Sequence, residues 1–554
     1  MSLYIFLSAL FYILSPHKAG CNSVFREHIS SAKELIDLSN RALSELKIFI
    51  YPIPPDAHVE KKGGKNVLLH FSVEQTFKDF LRISSDKYKN GSVGAITVTN
   101  DPGEANAFII DHHSAKIYLD HSDDCGKLYS QHLVPIVENI IHKYSYFNRS
   151  KGADHFFIDT FDTGMICADM NIFFNAFLQT NSSCKDDRSK VVNYIKNVSF
   201  VGNYGMDLRS FEKGTLRLDI GHALNMTGEV CHRAGKDIGT VNTMKFTPFV
   251  ADFCVFYLFL LVIPQPIDPE RVGRVFARSQ HRRSKLLREF DSTFSGSIWG
   301  DRLPLSDMAM TSRYEYLKNG TEDFGYDFNG GFRDLSLIYR GYFMYAPCGA
   351  ACWSMRLYEA LEFKTIPILI SDGPVQAFEK YIDWTKISVK ISSATWHNSS
   401  RLLKFRQKIR ESADNLRKVH EAVTNRLILA SHVDRASGIE CGKLGVICEG
   451  KQLSRLNHEL ELSENDQKDL ASLTNTFIVQ KMHAIEEVVD FFDYTDSENA
   501  LRKGEVLPEK SAYKLIMLDI WCRVTQLNIE HQFSQGSHPA CLNNADYTAR
   551  QEYF

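Results

Sequence analysis

Residues 341–370 read GYFMYAPCGAACWSMRLYEALEFKTIPILI, and this stretch decides the fold. Gly341–Ala346 is a short apolar run that Pro347, Cys348 and Gly349 interrupt. Ser354 then stands where it can cap a helix in which Met355, Leu357, Tyr358 and Leu361 recur at the spacing of one face. Pro367 opens a second apolar run, Ile368–Ile370, which Ser371, Asp372, Gly373 and Pro374 end. Strand, glycine-containing turn, helix and strand make one βαβ unit, whose helix begins where backbone N–H groups can hold an anion. On that helix Arg356 and Glu359 stand three residues apart on one face, a cation suited to a phosphate and a carboxylate suited to sugar hydroxyls. The plainer reading of the same pair is a surface salt bridge.

Upstream of this unit, Lys47–Tyr51 is a buried-strand run closed by Pro52, Pro54 and Pro55, and it reads as the opening strand of an α/β domain. Ala107–Ile110 is a second such run. Leu133, Ile136, Val137, Ile140, Ile141 and Tyr144 recur at helical spacing and predict a core-facing helix. After a turn at Asn148–Gly152 comes an apolar strand and then Asp162, a carboxylate beyond the strand's carboxyl end, where open α/β sheets bind ligands. A loop-capping aspartate is the alternative there. Phe249–Ile263 is a strongly apolar window, but about 15 helical residues fall short of a bilayer core and Asp252 interrupts it, so it predicts a buried element or insertion. The basic cluster Arg278, His281, Arg282, Arg283, Lys285 and Arg288 predicts a solvated helix face. Downstream, Arg401–Leu429 reads as a long helix. Pro508–Tyr513 starts an apolar helix through Trp521, on which Leu515, Leu518 and Trp521 share a face.

A chain of 554 residues is too long for one core and implies two or three domains. Its 44% apolar and 24% charged residues are ordinary for a globular protein, and a net charge of −3 argues against a nucleic-acid binder. Leu3–Leu14 carries no charge and is shorter than the roughly 20 residues of a membrane span, which fits a signal peptide or short signal-anchor. Asn-x-Ser/Thr sequons at Asn90, Asn148, Asn181, Asn197, Asn225, Asn319 and Asn398 fit a lumenal chain, and 12 cysteines allow disulfides, with Cys441 and Cys448 placed to bridge across a turn. Cysteine spacing offers no zinc signature. GxxxxGK[ST], GxSxG, GxGxxG and HExxH are all absent, which removes the usual marks of P-loop phosphotransfer, serine hydrolysis, dinucleotide binding and zinc proteolysis.

Several of these segments together resemble the exostosin-type glycosyltransferases, glycosyltransferase family 47. Pro347-Cys348-Gly349, Ser354–Ala360 and Ile366–Gly373 are similar to the family's Pro-basic-Gly, Ser-x-Arg-x-x-Glu-Ala and Pro-Val/Ile strand. Phe378, Asp383-Trp384 and Ser388-Val389 continue the pattern. Asn148–Gly152, Asp154–Phe157, Asp162 and Gly164 follow the family's Asn-Arg-Ser-x-Gly-x-Asp-His-Phe-Phe segment and the Asp-x-Gly beyond it. Weaker likenesses lie at Lys47–Tyr51, Asp101–Ala105, Cys231–Ile238 and Thr293–Ile298. The chain departs from the pattern at Cys348 and Ser295, where basic residues are usual, and at Phe161 and Thr163, which replace His and Trp.

The resemblance implies an α/β protein of two Rossmann-like domains facing a cleft (GT-B type) with a C-terminal helical extension. Residues 1–20 are then the signal, 21–248 the acceptor-side domain and 249–284 an apolar insertion with a basic linker. Residues 285–430 are the nucleotide-sugar domain, and 431–554 an insertion and a helix returning to the first domain. It implies an inverting, metal-independent transfer of a sugar from a nucleotide-sugar, a UDP-sugar, to a glycan or glycoprotein hydroxyl, with no other cofactor. Asp162 becomes the catalytic base, and Gly349, Ser354, Arg356, Glu359 and Asp372 the donor-binding residues. It also implies a lumenal domain at the Golgi membrane, pairing with itself or with another glycosyltransferase. The lost basic residues open a second reading, a non-catalytic exostosin-like glycan-binding or partner subunit. A glycoside hydrolase, which needs two carboxyl groups flanking one bond, is a third.

Overall fold

The computed structural model describes residues 31–57, 73–87, 97–112, 129–159, 198–202, 205–206, 260–262, 286–295, 324–327, 335–347, 355–370, 374–379, 381–392, 395–396, 398–431, 471–494 and 507–532, with a few single positions besides. The first unit runs α1 (Ala32–Glu45), β1 (Lys47–Tyr51), α2 (Val73–Lys87), β2 (Thr97–Val98) and β3 (Ala107–Ile110). A π-helical turn at Tyr129–Leu133 leads into α3 (Val134–Lys143), followed by α4 (Tyr146–Ser150), β4 (His155–Asp159), β5 (Ser199–Gly202), β6 (Gly205–Met206) and β7 (Leu260–Val262). The second unit runs β8 (Phe290–Ser295), β9 (Phe324–Asp327), α5 (Leu335–Arg340), β10 (Gly341–Pro347), α6 (Met355–Glu362) and β11 (Ile366–Ile370). Then come β12 (Pro374–Val375), α7 (Trp384–Ile387), β13 (Val389–Ile391), α8 (Ser399–Ser431), α9 (Phe477–Val488) and α10 (Ala512–Gln532).

The first sheet has the order β2-β1-β3-β4-β5-β7 and the second β9-β8-β10-β11-β13, and every pairing in both is parallel. In each, the chain steps outward from its first strand and then returns past it, so the winding reverses between β1 and β3 and again between β8 and β10. This is doubly wound α/β architecture, in which ligands bind outside the carboxyl ends of the strands at the reversal. Parallel sheets are covered on both faces, which is why KIFIY and AFII are nearly continuous apolar runs. Ile48, Ile50, Ala107, Ile109, Phe156 and Ile158 join one core cluster, and Phe49, Tyr51, Phe108, Ile110 and Phe157 another on the opposite face. The expected helix with Leu133, Ile136, Val137 and Ile140 supplies that second cover.

The βαβ unit forms as its sequence predicts: β10 pairs with β11 from Phe343↔Ile366 to Pro347↔Ile370, and Leu357, Tyr358 and Leu361 of α6 are buried in the main core. Gly341 is required by close approach, since a Cβ there would lie 2.5 Å from the Thr293 methyl on β8. The apolar window Phe249–Ile263 is corrected in part. Its Leu260–Val262 is the edge strand of the first sheet, paired with Phe200–Gly202, so the sheet extends into the segment expected to be an insertion. Among the described residues no helix is long and apolar enough to cross a membrane.

Helix α10 matches the expected return helix, yet its sequence predicts one apolar face and residues 512–524 are buried all round. It lies between the units. Tyr513 stacks on Phe80 at 4.2 Å, Trp521 Nε1 donates to Glu45 at 2.8 Å and Lys514 Nζ donates to Asn40 at 3.1 Å, all on the first unit. Tyr381, from the second, donates to Asp519 at 2.6 Å. Cys522 on the same helix is disulfide-bonded, and the remaining cysteines lie outside the described residues. A second link is the antiparallel pairing of β6 with β12, which joins the segments leaving the carboxyl ends of β5 and β11.

Arg288 is the other correction, because it lies on no solvated helix face. Its guanidinium donates to the carbonyls of Tyr339 (2.9 Å), Gly341 (3.0 Å), Phe363 (2.8 Å) and Lys364 (3.1 Å) and to the Thr365 hydroxyl (2.6 Å). It thereby gathers the carboxyl ends of α5 and α6 at the amino edge of the second sheet, where carbonyls lack helical partners. Burial pushes its pKa down to about 10, so it stays charged at neutral pH. Arg288→Met should lower unfolding stability by about 3 kcal/mol or more, because several enclosed carbonyls lose a charged donor. Exposed Arg401→Met should change it by less than about 0.5 kcal/mol, both read by denaturant titration.

Candidate functional site

The second sheet reverses between β8 and β10, and α6 follows β10, so the first turn of α6 lies at the carboxyl end where that sheet should bind a ligand. Arg356 and Glu359 are both there and both buried, at 6% and 2% exposure, with Arg356 Nη1 2.5 Å from Glu359 Oε2. The surface-bridge reading is therefore wrong in its essential point, since the pair is withdrawn from water. A buried ion pair contributes little net stability beside an apolar pair of like volume, but removing one partner leaves a charge without compensation. Such a pair, at a helix start beside a sheet reversal, has the chemistry of a diphosphate and ribose subsite. Gly349, Ser354 and Asp372, the other expected donor residues, lie outside the described residues, as does Cys348. Ser295 ends β8.

On the first unit Asp162 also lies outside the described residues. Asp159 is the last residue of β4. Asp154, the other carboxylate the sequence places near this strand, belongs to a buried network at its amino end. Ser150 Oγ donates to one carboxylate oxygen and Arg149 to the other at 3.1 Å. His155 Nδ1 lies 2.7 Å from Asp154, and Tyr51 Oη lies 2.8 Å from His155 Nε2. Burial alone would raise the Asp154 pKa, but hydrogen bonds from His155, Ser150 and Arg149 outweigh it and hold the carboxylate below its usual range. Burial pushes the His155 pKa down despite Asp154, and raises that of the Tyr51 phenol. Asp154 is thus an ionised structural acceptor, not a base waiting for a hydroxyl. Much of the Asn148–Phe157 motif builds this network. Sequence reasoning had no access to it, because Tyr51 is 104 positions from His155.

At the reversal of the first sheet, Asp111 and His112 follow β3, and no motif in the sequence marks either. Asp111 pairs with buried Lys78 of α2 at 2.9 Å and with Arg82 at 3.6 Å, and the His112 ring stacks on Phe157 at 3.7 Å. Their signal was positional: a polar pair directly after an apolar strand. Of the sequons, Asn148 and Asn398 lie within the described residues and both are exposed. Asn398 also caps α8 by accepting from the Arg401 N–H at 3.1 Å, which leaves its amide nitrogen free of that bond.

Comparison with known proteins bears on this second unit. Residues 276–405 match the family model described as the Exostosin GT47 domain, a span that contains β8 through β13, Arg356 and Glu359. The chain is thus exostosin-like there, as the Ser354–Ala360 and Ile366–Gly373 motifs imply. It is also similar to a plant protein described as a probable glucuronoxylan glucuronosyltransferase, from Arabidopsis thaliana, with 32% identity over 94 residues. That likeness covers 17% of this chain and about a fifth (20%) of the relative.

Truncating one member of the buried pair gives a direct check on its environment. Arg356→Met should destabilise the fold by about 3–5 kcal/mol and Arg356→Met with Glu359→Leu by much less, measured by denaturant titration. A cost below about 1 kcal/mol for the single change would mean the pair is solvated.

Proposed function

We propose that this protein is an inverting glycosyltransferase that moves a sugar from a nucleotide-sugar, a UDP-sugar, to a glycan or glycoprotein hydroxyl in the secretory pathway. The observation that carries the reading is the buried Arg356–Glu359 pair at the sheet reversal inside the segment matching the Exostosin GT47 domain. In this reading the two units face a cleft of GT-B type, and the β6–β12 pairing beside the strands' carboxyl ends supports that arrangement. The α6 amide groups and Arg356 hold the diphosphate, Glu359 accepts the ribose hydroxyls, and Gly349, Ser354 and Asp372 complete the donor side. Asp162 takes the proton of the acceptor hydroxyl as its oxygen bonds to the anomeric carbon. As that bond forms, the bond to the diphosphate breaks on the opposite face, and the helix start and Arg356 stabilise the departing charge without a divalent ion.

The sequons and the disulfide at Cys522 support a lumenal compartment, in keeping with a Golgi enzyme that associates with the membrane and pairs with itself or another glycosyltransferase. A second reading, a glycan-binding or partner subunit without turnover, is favoured by Ser295 and Cys348 standing where the family pattern is basic.

Glu359→Gln should weaken UDP about ten- to a hundred-fold in calorimetric titration, from charge-assisted hydrogen bonds worth roughly 1.5–3 kcal/mol. Equal affinities would leave the helix structural. Incubating the lumenal chain with a panel of labelled UDP-sugars, including the glucuronosyl donor that the plant relative's description suggests, should give transfer or donor hydrolysis. A folded protein with no turnover on any donor would favour the partner subunit. Glycosidase treatment of the protein from secreting cells should increase its gel mobility, and an unshifted band would argue against the lumenal compartment.

A further inference from the structure

We infer that the hydrogen-bonded chain Tyr51–His155–Asp154 is a positioning device that ties the amino end of β4 to the carboxyl end of β1, and so sets the register of the strand that runs on to the acceptor side of the cleft. The inference rests on the transferase reading for its catalytic consequence, though not for its structural one. Strands β1 and β4 are not neighbours, because β3 lies between them. Backbone pairing places Tyr51 opposite Ile110 and Ile110 opposite Phe157, whereas His155 is level with Phe108 and Phe49. The Tyr51 side chain therefore reaches back across two residues of register to meet His155. It does so over the ring of Phe108, with Tyr51 stacked on Phe108 at 5.8 Å, Phe108 on His155 at 4.7 Å and Tyr51 on His155 at 5.5 Å.

Hydrogen-bond logic gives the chain a direction. The ionised Asp154 carboxylate only accepts, so His155 Nδ1 carries the proton and donates to it. Neutral His155 then offers Nε2 as an acceptor for the Tyr51 hydroxyl. Ser150 and Arg149 hold Asp154 from the α4 side, and Arg149 also lies over the rings of Phe108 and Tyr146 at 5.7 and 5.6 Å. Gly152 (φ +84°) turns the chain between them, where a Cβ would meet the Phe147 ring at 2.8 Å. One helix turn, one strand start and the end of a strand two places away are thus joined through buried polar atoms. Such a network is costly to leave half-satisfied, which gives it a single geometry. The network meets the rim directly at Tyr51, while β4 runs on from its braced start to Ile158–Asp159, with His112 resting on Phe157.

The test uses the full chain with Tyr51→Phe, and Arg149→Met as a milder second variant that removes the donor to the other Asp154 oxygen from an exposed side chain and keeps the Asn148 sequon. Hydrogen exchange at residues 155–159 should accelerate about tenfold or more in both, while β10 and β11 keep wild-type rates. Unchanged exchange at 155–159 in both variants overturns the inference, as does a uniform acceleration that includes β10 and β11. In turnover assays kcat for transfer should fall about tenfold while donor KM and UDP affinity stay at wild-type values, a split that global destabilisation would not produce. Unchanged kcat, or UDP affinity lost in parallel, overturns the positioning role. A wild-type chain without turnover refutes the transferase reading instead, and the exchange result still decides whether the network fixes β4.

Discussion

Helix α10 is the element on which the arrangement of the two units depends, because from residue 512 to 524 it has no face in water. A helix that is buried on every side must satisfy whatever polar groups it carries from its neighbours, and here those neighbours come from both halves. Glu45 and Asn40 of α1 take the Trp521 and Lys514 donors, while Tyr381 beyond β12 reaches Asp519. The apolar cluster is correspondingly continuous, running from Leu35 and Phe80 in the first unit through α10 to Phe343, Ile368 and Trp384 in the second. Two doubly wound sheets are thereby made into one body with their carboxyl ends linked by β6 and β12.

The polar groups of this fold divide by depth along the strands. At the amino edges they hold structure: Arg288 collects five acceptors beneath the second sheet, and Asp154 and His155 brace the start of β4 in the first. At the carboxyl ends the pairs Arg356–Glu359 and Lys78–Asp111 sit at the two reversals, the position at which open α/β sheets in general bind ligands. The same residue types therefore call for opposite readings according to the end of the sheet they occupy, and for Asp154 this is what marks a buried carboxylate as a brace.

What was legible in the sequence was local. The break at Pro347–Gly349 and the stop at Ser371–Pro374 punctuate the βαβ unit clearly, and the unbroken helical run after Arg401 becomes α8. Leu260–Val262 was hidden because a three-residue edge strand inside a long apolar window has no period to read. Arg288 was misassigned because charge clusters describe composition, and its carbonyl partners lie more than fifty residues away. The uniform burial of α10 was invisible for the same reason: Lys514, Asp519 and Arg523 look like a solvated face until their distant partners are known. The Arg356–Glu359 pair was legible as a pair, but its burial was not.

The proposed donor-nucleotide site is the reversal between β8 and β10. A crystal structure of the protein with UDP tests this most directly. The diphosphate is expected at the start of α6 and the ribose hydroxyls within about 3 Å of the Glu359 carboxylate. UDP bound elsewhere, with Glu359 contacting Arg356 and no part of the nucleotide, would contradict it.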